Sequence, residues 1–122
     1  MNGEKLMATR VITLQEPSGK MLDEIFRKKP TFKEIYPKID ASLIEIVKGI
    51  IEIDTNQGIK RKTVEMWTDE EAKLTGKPVN VQATMAYQMY NKKKFGHAGS
   101  DTINGSVAVI IPNYEQFEVE AL

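Results

Sequence analysis

Three neighbouring acids, Asp69-Glu70-Glu71, are the residues of this 122-residue chain whose types most invite chemistry. Carboxylates in close array share a proton or a divalent cation, the arrangement of a metal-assisted enzyme acting on a nucleotide. Their spacing points the other way. Successive residues project in different directions on any regular backbone, so acids in series read as a solvated turn after a strand, or as a Thr68-to-Glu71 capping box. Gly76-Lys77 is not a Walker loop, because Pro78 follows the lysine and no glycine stands at the required upstream spacing. His97 is the one histidine and cysteine is absent, so neither a zinc site nor a Cys–His pair can be built within one chain. Ser100, His97 and Asp101 share a single loop and lack a nucleophile elbow. The sequence calls for no catalytic residue, no metal and no cofactor.

Binding is better served. Lys77 lies one turn before an expected helix start, where unpaired N–H groups and a partial positive charge favour an anion. Asn80 caps that helix, and Thr84, one turn later, shares a face with it. Trp67, at the end of the preceding strand, offers an aromatic wall. Arg61 and Lys62 lie further back on that strand and reach the same pocket only from a neighbouring subunit or through strand twist. Lys77, Asn80, Thr84, Trp67, Arg61 and Lys62 are the expected ligand site. The plainer alternative is that Asn80 only caps and Trp67 only fills core. Three basic runs, Arg27-Lys28-Lys29, Lys60-Arg61-Lys62 and Lys92-Lys93-Lys94, form a second constellation. If the fold joins two of them they make a pocket for phosphate groups, with Trp67, Tyr87 or Tyr90 available to stack on a base.

Composition narrows the classes. Lys and Arg number 17, Asp and Glu also 17, and the net charge is zero. A nonspecific nucleic-acid binder works by displacing phosphate counterions and carries a positive excess, and a DNA mimic carries a negative one. A neutral surface permits homo-oligomerisation. The apolar fraction of 41% and charged fraction of 28% fit an ordinary globular chain. No apolar run approaches the roughly 18 residues of a membrane span, and the polar start MNGEKLMATR is not a secretory signal. The lack of cysteine fits a reducing cytoplasm.

The elements that must position these residues read as one domain over 1–122, with a loose start over 1–8 and a tail of uncertain form over 112–122. Strands are expected from Arg10 along RVITLQEP until Pro17-Ser18-Gly19 ends the run, over Ile50–Ile53 and Ile59–Trp67 as a hairpin about Thr55-Asn56-Gln57-Gly58, and over Ser106–Ile111. Helices are expected over Lys20–Lys29, from a Thr31–Glu34 capping box to Tyr36, over Ala41–Lys48 with Gly49 as its left-handed C′ residue, and over Val81–Tyr90. The last carries an apolar stripe of Val81, Met85 and Met89, followed by a basic loop over Asn91–Ser100. The mixture without strict βαβ alternation predicts an α+β fold: a small, largely antiparallel sheet with helices packed on one face.

The order of features from Lys48 to Ile111 resembles a domain-of-unknown-function family of small bacteriophage and conjugative-element proteins. The resemblance is carried by VKGIIEI, by VEMWTDEEAKLTGKPVN with its G-x-P-x-N turn, by Ala83-Thr84, and by NGSVAVII. It implies a small accessory protein of a mobile element in the bacterial cytoplasm, and it brings no catalytic residue. Such context suits sequestration of a nucleotide-derived host defence signal, or inhibition of a host nuclease, polymerase or restriction enzyme by direct contact.

Overall fold

The computed structural model describes residues 8–55 and 58–112. The expectations for residues 1–7, for Asn56-Gln57 and for 113–122 lie outside the described residues. The elements run β1 (Thr9–Leu14), β2 (Met21–Phe26), α1 (Phe32–Ile39), β3 (Ile44–Thr55), β4 (Gly58–Asp69), α2 (Val81–Phe95) and β5 (Val107–Pro112). The five strands form one antiparallel sheet in the order β2-β1-β5-β4-β3. The α+β class and the antiparallel sheet match the sequence reading.

The central strand decides where the helices go. In β5 both parities are apolar and five consecutive residues are buried. Val107, Val109 and Ile111 pack with Val64, Met66, Ala83 and Ala86, which puts α2 on one face. Ala108 and Ile110 pack with Val11, Trp67, Ile35 and Ile39, which puts α1 on the other. The expectation that the helices share one face is corrected: an apolar strand with no solvated side needs cover on both.

Two segments expected as helices are strands. Met21–Phe26 pairs along its length with β1, from Thr9↔Phe26 to Leu14↔Met21. Its apolar residues suit either period, and long-range pairing overrides the local pattern. Ile44–Lys48, expected within a helix, instead opens a 12-residue strand, Ile44–Thr55, that takes in the expected strand Ile50–Ile53 and faces β4 in continuous register. It is dense in β-branched residues, which lose rotamer freedom in a helix and pack well on a pleated sheet.

The helices themselves keep their expected starts and run longer. Thr31 and Glu34 form the capping box: Glu34 N–H donates to Thr31 Oγ1 at 3.2 Å and Thr31 N–H to Glu34 Oε1 at 2.9 Å. α1 continues through Pro37 to Ile39, because a proline within the helix forfeits one backbone bond while Ile35 and Ile39 bury fully in the core. α2 reaches Phe95, taking in half of the expected basic loop. Its last turn holds Lys92, Lys93 and Lys94, which complement the helix dipole, and Gly96 ends it in the left-handed region at φ 88°.

α2 does not lie on the stripe the sequence suggested. Val81 and Met85 are exposed, and the buried face is Ala83, Thr84 and Ala86. Gly49 explains the preference for small residues. It sits in mid-strand rather than at a helix end, and a Cβ there would stand 2.7 Å from Met66 Cε and 3.2 Å from Ala86 Cβ. A flat spot on β3 thus lets α2 approach closely. Gly49→Val should cost about 1–3 kcal/mol in urea unfolding through overpacking. Gly49→Ala should cost less, because the Met66 thioether is the flexible end of its side chain.

Candidate functional site

The acidic turn is a structural joint. Asp69 ends β4 with its side chain 1% exposed. One oxygen, Oδ1, accepts from Glu71 N–H at 3.1 Å, from Ser42 N–H at 3.2 Å and, at the limit, from Leu43 N–H at 3.5 Å. The other, Oδ2, meets Lys77 Nζ at 2.9 Å. Burial pushes this carboxyl up, but Lys77 and the three amides outweigh it and hold its pKa below the ordinary 3.8. Glu70 and Glu71 point to solvent. Among the described residues no group of three His, Asp or Glu side chains converges on a metal-sized space.

The six residues expected to form one ligand site are dispersed. Lys77 is committed to Asp69 and also donates to the Asp40 carbonyl. Asn80 is 1% exposed. It caps α2 by accepting from Ala83 N–H at 3.1 Å, and its amide donates to the carbonyls of Leu14 at 3.1 Å and Gly105 at 3.0 Å. Thr84 Oγ1 donates to the Ile103 carbonyl and accepts from Ile103 N–H at 2.9 Å. These polar groups are spent on backbone.

Trp67 lies on the opposite, α1 face of the sheet. It is 2% exposed, with Phe32 edge-on at 4.8 Å between ring centroids, Lys29 Nζ 5.8 Å from its ring, and its Nε1–H donating to Glu65 Oε1 at 3.0 Å. Buried so, it is core rather than a stacking wall.

Arg61 and Lys62 fall elsewhere, and there the structure gathers cations. A groove of about 430 Å³ is lined by Arg61 and Lys62 of β4 and by Lys92 and Lys93 of α2, with Ile50, Thr63 and Met89. The register produces this. Val64 and Met66 face α2, and with a period of two so does Lys62, opposite Ile51. Among the described residues β5 pairs with β4 only over Glu65–Trp67, so the earlier part of β4 runs past that contact beside the last turns of α2. Arg61 and Thr63, of the other parity, close the groove around the strand. Arg61 Nε is steadied by Glu52 Oε2 at 3.0 Å.

Two basic runs therefore meet, as the sequence reading allowed, while the third stays on the α1 side, where Lys29 pairs with Glu65 at 3.2 Å. Lys92 and Lys93 were named from sequence only within that second constellation of basic runs, and Met89 and Ile50 were not selected at all. The signal for the two lysines was the pair of runs, Lys60–Lys62 and Lys92–Lys94, and no local pattern marked Met89 or Ile50. His97 and Ser100 are exposed, and Asp101 is drawn to Lys73, whose ammonium holds its carboxyl below the ordinary range.

Comparison with protein-family models, with curated proteins and with solved structures returned no significant match.

Two outcomes follow from this geometry. Asn80→Ser should keep the cap yet cost about 1–3 kcal/mol, because the Leu14 and Gly105 carbonyls lose a buried donor; chemical denaturation measures it. Asp69 has a lowered folded pKa, so its contribution is present above the unfolded value near 3.8 and is lost as pH falls through the lower folded one. Asp69→Asn should destabilise by about 3–5 kcal/mol at pH 7, with a flatter acid limb in a stability–pH profile than the parent protein.

Proposed function

We propose that this is a non-catalytic binding protein that holds a nucleotide-derived anion in the groove between β4 and α2. The observation that supports it is the convergence of Arg61, Lys62, Lys92 and Lys93 on one groove in a chain with no net charge. Like charges repel, so four cations gathered from two elements favour a polyanionic occupant. Ile50 and Met89 add apolar surface for the body of such a ligand, and the groove's volume falls within the range of small-molecule sites. The resemblance to phage and conjugative-element proteins supports a setting in the bacterial cytoplasm, with sequestration of a host defence signal as the role and self-association of the neutral chain as its form. No helix among the described residues is long and apolar enough to cross a membrane.

Calorimetric titration against pyrophosphate, cyclic nucleotides and ADP-ribose at low salt tests the reading. Binding should weaken as salt rises. Lys92→Glu with Lys93→Glu should lower affinity at least about tenfold, since charge-assisted contacts to phosphate are lost, while the melting temperature stays close to that of the parent. No binding at tens of micromolar to any of these anions overturns it, as does turnover of the bound ligand.

A second reading, direct inhibition of a host nuclease, polymerase or restriction enzyme, is favoured by a different observation. Val79, Val81 and Met85 are exposed along and just before α2, on a face that its packing does not use. Stoichiometric capture of one host protein, abolished by Val81→Ser with Met85→Ser and untouched by the lysine variants, would select this reading over the first.

A further inference from the structure

We infer that the open edge of β3 pairs with the same edge of a second copy of this chain, antiparallel about a two-fold axis at Ile50, so that two five-stranded sheets become one. The inference rests on the reading above only in giving its self-association a surface, and it does not depend on what the groove holds. β3 stands at one end of the strand order and, among the described strands, has β4 as its single neighbour. Its backbone alternates. Glu70 N–H donates to the Leu43 carbonyl at 2.8 Å, on the β4 side, whereas Ile44 N–H turns away to the Tyr36 hydroxyl at 3.4 Å. With a period of two and an unbroken register, the N–H and C=O groups of Ile46, Lys48, Ile50, Glu52 and Asp54 all point to the open edge. Among the described residues no hydrogen bond fills them. Natural edges are commonly blunted by brevity, proline or a bulge; this one runs 12 residues without proline or break in register.

The side chains choose the occupant and the register. Directly opposed residues of an antiparallel pair share a face, so a two-fold axis must pass through a residue and not between two. About Lys48 or Glu52 that residue meets its own charge. Only about Ile50 do both Lys48 and Glu52 meet an opposite charge, and the symmetry makes the Lys48–Glu52 pair twice. Both are exposed on one side of the sheet. Each already has a neighbour in its own chain: Arg61 Nε holds one Glu52 oxygen at 3.0 Å, and Lys48 lies opposite Glu65. The pairs between copies therefore set register and specificity, while the backbone bonds supply the attraction. The Ile50 side chain is already packed away at 6% exposure, so the approach at the axis is backbone to backbone. On the α2 face, Ile51 comes opposite the bare Gly49 of the second copy and Val47 opposite its Ile53, half-buried apolar side chains that close on one another. The other edge, β2, has six residues, and its fullest self-pairings set Asp23 or Glu24 against itself.

Sedimentation velocity on the full chain, without ligand, tests the interface. The parent should be dimeric at about 100 μM and dissociate on dilution, because an edge pair buries little side-chain surface. Lys48→Glu and Glu52→Lys each set like charges at both contacts and should weaken the dimer at least about tenfold. An equimolar mixture of the two variants restores both opposite-charge pairs and should dimerise nearly as tightly as the parent. Amide exchange on the parent gives a readout free of substitution: the Lys48, Ile50 and Glu52 N–H groups should exchange more slowly in the dimer than after dilution. A monomer at every concentration overturns the interface. So does a dimer that survives both variants, or a mixture that stays monomeric although each variant unfolds near the parent midpoint. None of these outcomes touches the groove, whose anion titration is read separately.

Discussion

The Asp69 carboxylate is the constraint on which the surrounding architecture turns. A charge this buried is tolerable only with its lone pairs filled, and the chain fills them from three places: the turn that follows, the segment that leads into β3, and Lys77 eight residues on. To bring Lys77 back, the chain must double on itself, which Gly76 permits at φ 74° before Pro78 redirects it. The lysine stem then runs beside Gly105, where a Cβ would stand 3.0 Å from Lys77 Cδ. From this joint Asn80 launches α2 while its amide ties the helix start to the backbones at Leu14 and Gly105. The axis of α2, and with it the place where Lys92 and Lys93 arrive, follows from a carboxylate about three helical turns and a loop away.

The two faces of the sheet are finished differently. On one, α1 and Trp67 close a compact cluster, and Glu65 is shared between the Trp67 indole and Lys29. On the other, α2 presses small residues against Gly49 and Met66 near its start and middle, and its basic end extends toward the β3–β4 hairpin. Close packing at Gly49 and an open groove further along belong to one geometry: a straight helix laid across a twisted sheet touches closely at one point and diverges beyond it.

Local chemistry was legible in the sequence, and the long-range pairings were not. The Thr31–Glu34 box, the Asn80 cap, the β3–β4 hairpin and the last strand each carry their signal within a few residues, and each is present. Met21–Phe26 and Ile44–Val47 have apolar spacings that serve a helix or a strand, and the choice was made by partners distant in sequence. Gly49 is the instructive case. A glycine after an apolar run suggests a helix end, whereas here its missing side chain makes room for Met66 and Ala86, which no local window contains. The candidate site divides the same way. Basic runs on separate elements are visible in the sequence, but their meeting depends on the register that puts Lys62 on the α2 face.

The strand order has a consequence for how the molecule is made. β1 and β2 form one antiparallel pair and β3 and β4 another, and among the described strands only β5, the last in sequence, lies between them. While the chain is being synthesised, the two halves of the sheet have no common strand, and the apolar inner edges of β1 and β4 wait for a partner not yet translated. Closure joins Thr9–Leu14 to Val107–Pro112 across nearly the whole described length, a high-contact-order step that loop-closure entropy makes slow. Until it occurs, those edges are the sites at which a nascent chain is most open to mispairing with its neighbours.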